Sequence, residues 1–322
     1  MKLIATSLDP DSISYILESG SLKDVTFASI EEILDNQFLL QECIGIWTTL
    51  FPRIDLSLVE KFVNLEFIAS STTGLTHIDM HSISKIENLK IFSLKTEKEF
   101  ISKISATPEF AWGLALDVWR KITLSNNEYV SDTEIRKNYS SNQLAGKNLG
   151  LIGFGRVGKY LSQYAKAFQM NVKYYDPYLS ANIINTELNV QRFQNLEKMI
   201  EVSDIVIVCA SVLDDSFQLI NSQNIKYFKK NSILINIARG SLVDEHAVAF
   251  AILNGRLAGA GFDVLVREEI NTFSNDPSPL EILKKQGFNV VITPHIAGMC
   301  IDAFQKCNLN IANQINRYFQ SK

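Results

Sequence analysis

Short runs of Val, Ile, Leu and Phe alternate with amphipathic stretches along the whole chain. Apolar runs bounded by polar turns read as buried strands and the stretches between them as helices, the pattern of βα units around parallel sheets. In the first third, strands are expected at Leu3–Ser7, Val25–Ala28, Ile44–Trp47, Phe67–Ser70 and Lys90–Phe92. Asp9-Pro10 supplies a helix N-cap followed by a first-turn proline, and Asp55 opens another helix. Together these elements predict a small doubly wound unit.

The stretch Thr107–Ile122 has Pro108 near its start and basic residues at its end, matching the helix dipole, and predicts a long helix leading into a second unit. Ser125–Gly146 is polar and poorly periodic and predicts a loop. Six further strands are expected, at Leu149–Ile152, Val172–Tyr175, Ile205–Val208, Ile233–Asn236, Ala258–Phe262 and Val290–Ile292. Asp244 begins a helix among them, and Gly255 stands where a C′ glycine would end it. The last segment, Asp302–Phe319, carries Phe304, Ile311, Ile315 and Tyr318 on one face and predicts a helix returning to the first unit. The fold class is therefore α/β, with two doubly wound parallel-sheet domains.

Between the first two of those six strands lies Gly153-Phe154-Gly155-Arg156-Val157-Gly158. Gly153 permits the tight strand-to-helix turn, Gly155 lets main chain approach a pyrophosphate, and Gly158 lets the helix pack closely on the sheet. Apolar positions Val157, Leu161, Tyr164, Ala165 and Phe168 follow at helical spacing, so the motif has the context a dinucleotide site requires. Asp176, 18 residues beyond Gly158, ends the next strand, where a carboxylate can accept both adenosine ribose hydroxyls and repel a 2′-phosphate. NAD is the expected cofactor rather than NADP, since Pro177 and Tyr178 supply no compensating cation. Asp176 also fits a simple turn or N-cap before Pro177, and Arg156 fits either a pyrophosphate contact or an exposed position.

Three polar residues, Arg239, Glu268 and His295, fall where strands of the same sheet are expected to end. A guanidinium can hold a carboxylate in a forked geometry that lysine cannot copy. Hydride addition to a carbonyl carbon leaves negative charge on oxygen, which a protonated imidazole can quench by delivering a proton. A carboxylate on the other ring nitrogen would orient that imidazole and stabilise its charged form. Arg267-Glu268-Glu269 also reads as a solvated charged run.

The segments Ile235–Glu245, Ala258–Val264 and Thr293–Gly298, together with Thr72–Asp79 and the Thr107–Ile122 helix, resemble the D-isomer-specific 2-hydroxyacid dehydrogenase family over nearly the whole chain. The resemblance implies a Rossmann domain at 102–295 inserted in a smaller flavodoxin-like substrate domain, 1–101 plus 296–322, with the site in the cleft between them. It assigns Arg239, Glu268 and His295 to catalysis, the separation of 29 residues from Arg239 selecting Glu268 over Glu269. Thr73, Gly74 and Leu75, with Arg239 and His295, are assigned to the substrate. Gly153, Gly155, Arg156, Val157, Gly158, Asp176, Ala210, Ala238, Arg239, Asp263, His295 and Gly298 go to the cofactor, Asp263 approaching the nicotinamide carboxamide. The implied partner is a small 2-oxo or 2-hydroxy acid, and the implied assembly a homodimer through the cofactor domain. A non-catalytic NAD-sensing regulator of the same fold is the alternative.

Departures from the family pattern are Glu269-Ile270 after the carboxylate, the loop Cys209–Asp215, Ser70-Ser71 in the substrate loop, which disfavours a phosphorylated substrate, and Met299-Cys300 after the histidine. His77 and His81 read as structural and His246 as an exposed helix position, while Trp112 fits either a pocket wall or core.

At 322 residues the chain suits two cores, and a net charge of -4 with 20% charged residues offers no footprint for nucleic acid or an anionic membrane. No stretch approaches the roughly 20 apolar residues of a membrane span, and the N-terminal apolar run is too short for a signal peptide, so the cytoplasm is the expected compartment. Cys43, Cys209, Cys300 and Cys307 form no CxxC pair, suggesting neither disulfides nor a metal site but four buried small residues.

Overall fold

The structure is a computed structural model that describes residues 2–126, 136–179, 190–212, 217–268 and 276–322. It divides into two compact units, Met1–Ile104 with Met299–Lys322, and Ser105–Gly298. Each break lies three residues beyond the boundary expected from sequence. Ser105 directly precedes the helix Ala106–Arg120, and the amides of Ile296 and Ala297 donate to Asp263, holding that short segment to the second unit.

In the first unit, β1 (Lys2–Thr6), β2 (Val25–Ser29), β3 (Cys43–Thr48), β4 (Phe67–Ser70) and β5 (Lys90–Ser93) form one parallel sheet in the order β2-β1-β3-β4-β5. This is the flavodoxin-like order, with its switch point between β1 and β3. Alternate strand residues face opposite layers. Ile4, Trp47, Phe67 and Ala69 pack under Ile16 and the C-terminal helix residues Ile311, Ala312 and Ile315. Ala5, Ile46 and Ile68 pack against Ile30, Ile33, Val59 and Ile83. The chain's last helix, Ile301–Gln320, therefore completes the sheet its first residues begin, with Tyr318 and Phe319 edge-on to Phe67.

The second unit holds β6 (Asn148–Ile152), β7 (Asn171–Tyr175), β8 (Val190–Phe193), β9 (Ile205–Val208), β10 (Ser232–Asn236), β11 (Leu257–Phe262) and β12 (Val290–Ile292). Their order is β12-β11-β10-β9-β6-β7-β8, parallel throughout, the Rossmann order with its switch point between β6 and β9. β9 reads Ile-Val-Ile-Val with no polar position because both its faces are covered. Ile205 and Ile207 belong to one hydrophobic cluster with Ala111, Leu114 and Leu161, while Val206 and Val208 belong to another with Met199, Ile200 and Val248.

The sheet has one strand more than the six expected. β8 escapes the hydrophobic reading because it is an edge strand, Val-Gln-Arg-Phe, with only two apolar positions. The helix expected to run through Ile122 ends at Arg120: Lys121 adopts the left-handed conformation, and a separate short helix spans Ile122–Asn126. Trp112 is core, packed 5.1 Å from Phe168 and 6.2 Å from Tyr164. Of the four cysteines only Cys43 and Cys307 are buried; Cys209 and Cys300 are half-buried. His77 is buried and His246 exposed on its helix. Part of the predicted Ser125–Gly146 loop, residues 127–135, lies outside the described residues, as do 213–215 of the Cys209–Asp215 loop and Glu269-Ile270. Among the described residues no helix is long and apolar enough to cross a membrane.

Candidate active site

At the switch point, Ile152 at the end of β6 pairs with Tyr175 of β7 on one side and Val208 of β9 on the other. The chain then turns sharply through Gly153, whose φ of +93° excludes ordinary side chains. A Cβ there would lie 2.7 Å from the Ala210 Cα, so the turn also needs the bare backbone sterically. A Cβ on Gly158 would lie 2.8 Å from the Gly153 carbonyl, which explains the close seating of the helix. Gly155 differs: it is the N-cap of the helix Arg156–Ala167, and a Cβ there would meet nothing within 4 Å. The N-cap residue makes no side-chain cap hydrogen bond, and a helix start of this kind favours an anion. Arg156 and Val157 are half-buried in that first turn. The loop thus fits a pyrophosphate.

Asp176 follows β7 and ties two backbone segments together. Its Oδ2 accepts the Phe154 N–H at 2.9 Å, and its Oδ1 accepts those of Tyr178 and Leu179, both at 3.1 Å. Three of about four acceptor positions are therefore engaged by the main chain, which is the turn arrangement that the sequence also allowed. Pro177 and Tyr178 supply no cation at this corner, but a residue farther along the chain does. Arg192 of β8 donates from its guanidinium to the Asp176 carbonyl at 2.9 Å. Although Cys209 as a residue is only half-buried, its sulfur lies beneath the loop, donating to the Gly153 carbonyl at 3.1 Å. Burial, reinforced by the Asp176 charge, pushes its thiol up to about 12, so it stays protonated there.

Farther along the same edge, β10 ends in Asn236, which is fully buried. Its side-chain oxygen accepts the Ala238 N–H at 3.1 Å and its amide donates to the Arg239 carbonyl at 2.9 Å, shaping the turn that carries Arg239. Arg239 is half-buried, with one guanidinium N–H donated to the buried Ala238 carbonyl at 2.7 Å. A Cβ on Gly240 would overlap the Leu265–Val266 peptide, so the Arg239 turn abuts the turn bearing Glu268.

Glu268 does not end a strand; it closes the 3-10 turn Val266–Glu268 beyond β11. One carboxylate oxygen accepts the Leu265 N–H at 2.9 Å, and the other pairs with His295 Nδ1, also at 2.9 Å. Both side chains are 30% exposed, so the pair is reachable from solvent. With Nδ1 engaged, Nε2 is the nitrogen left for proton exchange. His295 sits beyond β12 at a φ of +56°, an uncommon conformation for a non-glycine residue, and surrounding bonds hold it there. Its N–H donates to the Asp263 carbonyl at 2.9 Å, and the Asp263 carboxylate accepts Thr293 Oγ1 at 2.6 Å and the amides of Ile296 and Ala297 at 2.9 and 2.8 Å. Asp263 is fully buried, its carboxylate spent on the histidine turn.

The first unit's candidates follow β4. Thr73 is exposed, and Gly74 and Leu75 are half-buried. Thr72 Oγ1 donates to the Gly74 carbonyl at 2.8 Å, and Ser70 Oγ lies 2.9 Å from that Thr72 hydroxyl and 3.2 Å from His77 Nε2. Ser70-Ser71 and His77 therefore brace this loop. Ala210 is half-buried beneath the glycine turn, and Gly298 is the exposed last residue of the second unit.

Sequence reasoning missed Asn236, Arg192, Thr293 and the buried Glu245. Asn236 carried a signal, a polar side chain closing an otherwise apolar strand; the other three carried none.

Residues 112–297 match the model of the D-isomer specific 2-hydroxyacid dehydrogenase, NAD binding domain. The chain is 34% identical over 206 residues to a glyoxylate reductase of Pyrococcus horikoshii, covering 62% of this chain and 58% of the relative. It is 30% identical over 220 residues to a D-3-phosphoglycerate dehydrogenase of Haemophilus influenzae, covering 67% of this chain and 51% of the relative. The matched part thus spans little more than half the length of either. Its fold is similar to the crystal structure of D-lactate dehydrogenase from Aquifex aeolicus complexed with NAD and lactic acid, with a TM-score of 0.80 at 21% identity over 99% of this chain and 96% of that one. The glycine turn, the doubly wound seven-stranded sheet and the family match agree, and the chain belongs to the D-isomer specific 2-hydroxyacid dehydrogenases, whose NAD-binding domain it carries.

Proposed function

We propose that the protein is an NAD-dependent dehydrogenase interconverting a D-2-hydroxy acid and its 2-oxo acid. The observation that carries the reading is the Glu268–His295 pair at 2.9 Å, set at the carboxyl edge of the sheet that bears the glycine turn. NADH, when bound, supplies the hydride that adds to C2 of the 2-oxo acid. Arg239 holds the substrate carboxylate and polarises its carbonyl, and the main chain of Thr73, Gly74 and Leu75 is the second proposed contact for the carboxylate. As negative charge grows on the carbonyl oxygen, His295 delivers a proton from Nε2 while Glu268 compensates the imidazolium through Nδ1. In the oxidative direction the same imidazole removes the hydroxyl proton.

On the cofactor side, the first turn of the helix Arg156–Ala167 receives the pyrophosphate, and Asp176 offers its remaining acceptor capacity to the adenosine ribose. Ala210, Ala238 and Gly298 are proposed to flank the cofactor with their main chain. Asp263 is proposed to act through the histidine turn. The protein is further proposed to be a homodimer, as the family resemblance implies, and to work in the cytoplasm.

The test is an NADH-oxidation screen across 2-oxo acids, including glyoxylate, pyruvate, hydroxypyruvate and branched acids, repeated with Arg239→Ala and His295→Ala. Turnover by the wild type, with losses of about 10²- to 10⁴-fold in the variants at retained NADH affinity, is the expected result. A chain that binds NADH yet reduces nothing in the panel would favour a regulator. Because reduction consumes a proton held by His295, the rate should fall toward alkaline pH. A rate flat from about pH 5 to about pH 10 contradicts the assignment.

A further inference from the structure

Glu245 is a buried carboxylate that the proposed reaction does not use. It is the first residue of the helix Glu245–Leu253, yet that helix is already capped by Asp244, whose carboxylate accepts the amides of His246 and Ala247 at 2.9 and 3.1 Å. The Glu245 side chain is directed elsewhere. Its Oε1 accepts the Val266 N–H at 2.8 Å, and its Oε2 accepts the Ser278 hydroxyl. Val266 opens the turn that ends in Glu268.

The bonds around this carboxylate form a clamp. Ser278 caps the helix Pro279–Lys285 in a capping box with Glu281, and Glu281 accepts the Arg267 guanidinium at 2.8 Å. Val266 is thus held by Glu245 through its main chain, and Arg267 by Glu281 through its side chain. On the opposite side, Gly240 presses against the Leu265–Val266 peptide. A buried carboxylate is costly unless its oxygens are satisfied, and here both are spent on the two segments that flank residues 267–277.

We propose that Glu245 is a positioning residue for the Glu268–His295 pair, fixing the Val266–Glu268 turn through the Val266 amide so that the Glu268 carboxylate meets His295 Nδ1. Its catalytic meaning rests on the dehydrogenase reading; the positioning itself does not. What the site requires is an acceptor atom at the right reach, not a negative charge. Glutamine keeps the reach and an acceptor for Val266, while its amide can donate to the Ser278 oxygen. Aspartate keeps the charge but is one methylene too short to touch both partners. A role in supporting the helix dipole would make the opposite demand, tolerating aspartate and rejecting glutamine.

The experiment compares wild type, Glu245→Gln and Glu245→Asp in the full chain with ¹⁵N-labelled imidazoles. The His295 Nδ1 signal is identified by its absence from His295→Ala among the four histidines. Glu245→Gln should keep the hydrogen-bonded Nδ1 position, and Glu245→Asp should lose it. In parallel, kcat for the best 2-oxo acid should fall about ten- to hundredfold in Glu245→Asp alone, with the NADH Kd within about twofold in both variants. An Nδ1 signal unmoved in Glu245→Asp, or lost in Glu245→Gln, overturns the proposal. Should no 2-oxo acid be reduced by the wild type, the dehydrogenase reading fails while the imidazole signal still decides this one.

Discussion

Two sheets of the same doubly wound design end in polar side chains that behave differently. At the carboxyl edge of the five-stranded sheet, short hydroxyls close on nearby groups: Thr6 on the Trp47 carbonyl of the adjoining strand, Thr48 on the Phe51 carbonyl, and Ser70 and Thr72 on each other. At the edge of the seven-stranded sheet, buried residues with longer reach hold whole turns. Asp263 encloses the His295 turn, Asn236 shapes the Arg239 turn and Glu245 clamps the Glu268 turn. The all-parallel, doubly wound design is shared although the strand orders differ, so that design is not what distinguishes the two edges. The difference lies in buried carboxylates and an amide spent on the backbone of loops that carry partly exposed functional groups. Such preorganisation is the arrangement expected where charge must be met in a fixed place.

Removing the largest of these supports should break the contrast most severely. Asp263→Ala leaves the Thr293 hydroxyl and the Ile296 and Ala297 amides without their acceptor, and should cost about 4 kcal/mol in urea unfolding. Whatever folds should have lost the 2.9 Å Glu268–His295 approach and most turnover. A variant as stable and active as wild type would mean the carboxylate is not what holds the histidine turn.

Gly240→Ala tests the abutment of the Arg239 and Glu268 turns. The added methyl must displace the Leu265–Val266 peptide, a backbone segment that cannot swing away, at an expected cost of about 1–3 kcal/mol. Both the substrate KM, through Arg239, and kcat, through Glu268, should worsen together. A change in KM alone would show that the two turns move independently.

Ser71→Ala is the counterpart in the first unit. It removes the acceptor of the buried Trp47 indole N–H, a bond of 2.9 Å, and should cost about 1–2 kcal/mol. Because this hydroxyl braces a strand end within its own unit, the NADH Kd should stay where it was. Weakened NADH binding in that variant would blur the distinction between the two edges.

How much of this could be read in the chain divides along the same line. β9 was legible because Ile-Val-Ile-Val has no polar position, and the glycine turn because Gly153 and Gly158 each answer a separate steric demand. β8 was not, since an edge strand needs little apolar surface, and with it went Arg192 and the guanidinium beside Asp176. Arg239, Glu268 and His295 stood out as polar residues near expected strand ends. Their supports did not stand out in that role, since the family resemblance assigns Asp263 to the nicotinamide and not to the histidine turn. Asp263 meets Ile296 and Ala297 across 33 and 34 residues and Glu245 meets Val266 across 21, and local pattern holds no record of contacts at that range.

The smallest effect separates charge that stabilises a local turn from charge that builds the site. Asp55 caps the short helix Leu56–Val59, and the Ser57 hydroxyl and Leu58 amide hold its carboxyl below the usual aspartate range. A group whose folded pKa is depressed contributes stability that is complete above its unfolded value, about 3.9, and is lost as pH falls through the folded one. Asp55→Ala should therefore cost about 1 kcal/mol near neutrality, and the gap to wild type should narrow as the pH drops below about 4. Urea titrations at several pH values, followed through Trp47 in the same unit, read that gap directly. Turnover should not change at any of them, because Asp55 reaches no further than its own helix; a gap that widened in acid would reverse the sign of the linkage and remove Asp55 from the class of local caps.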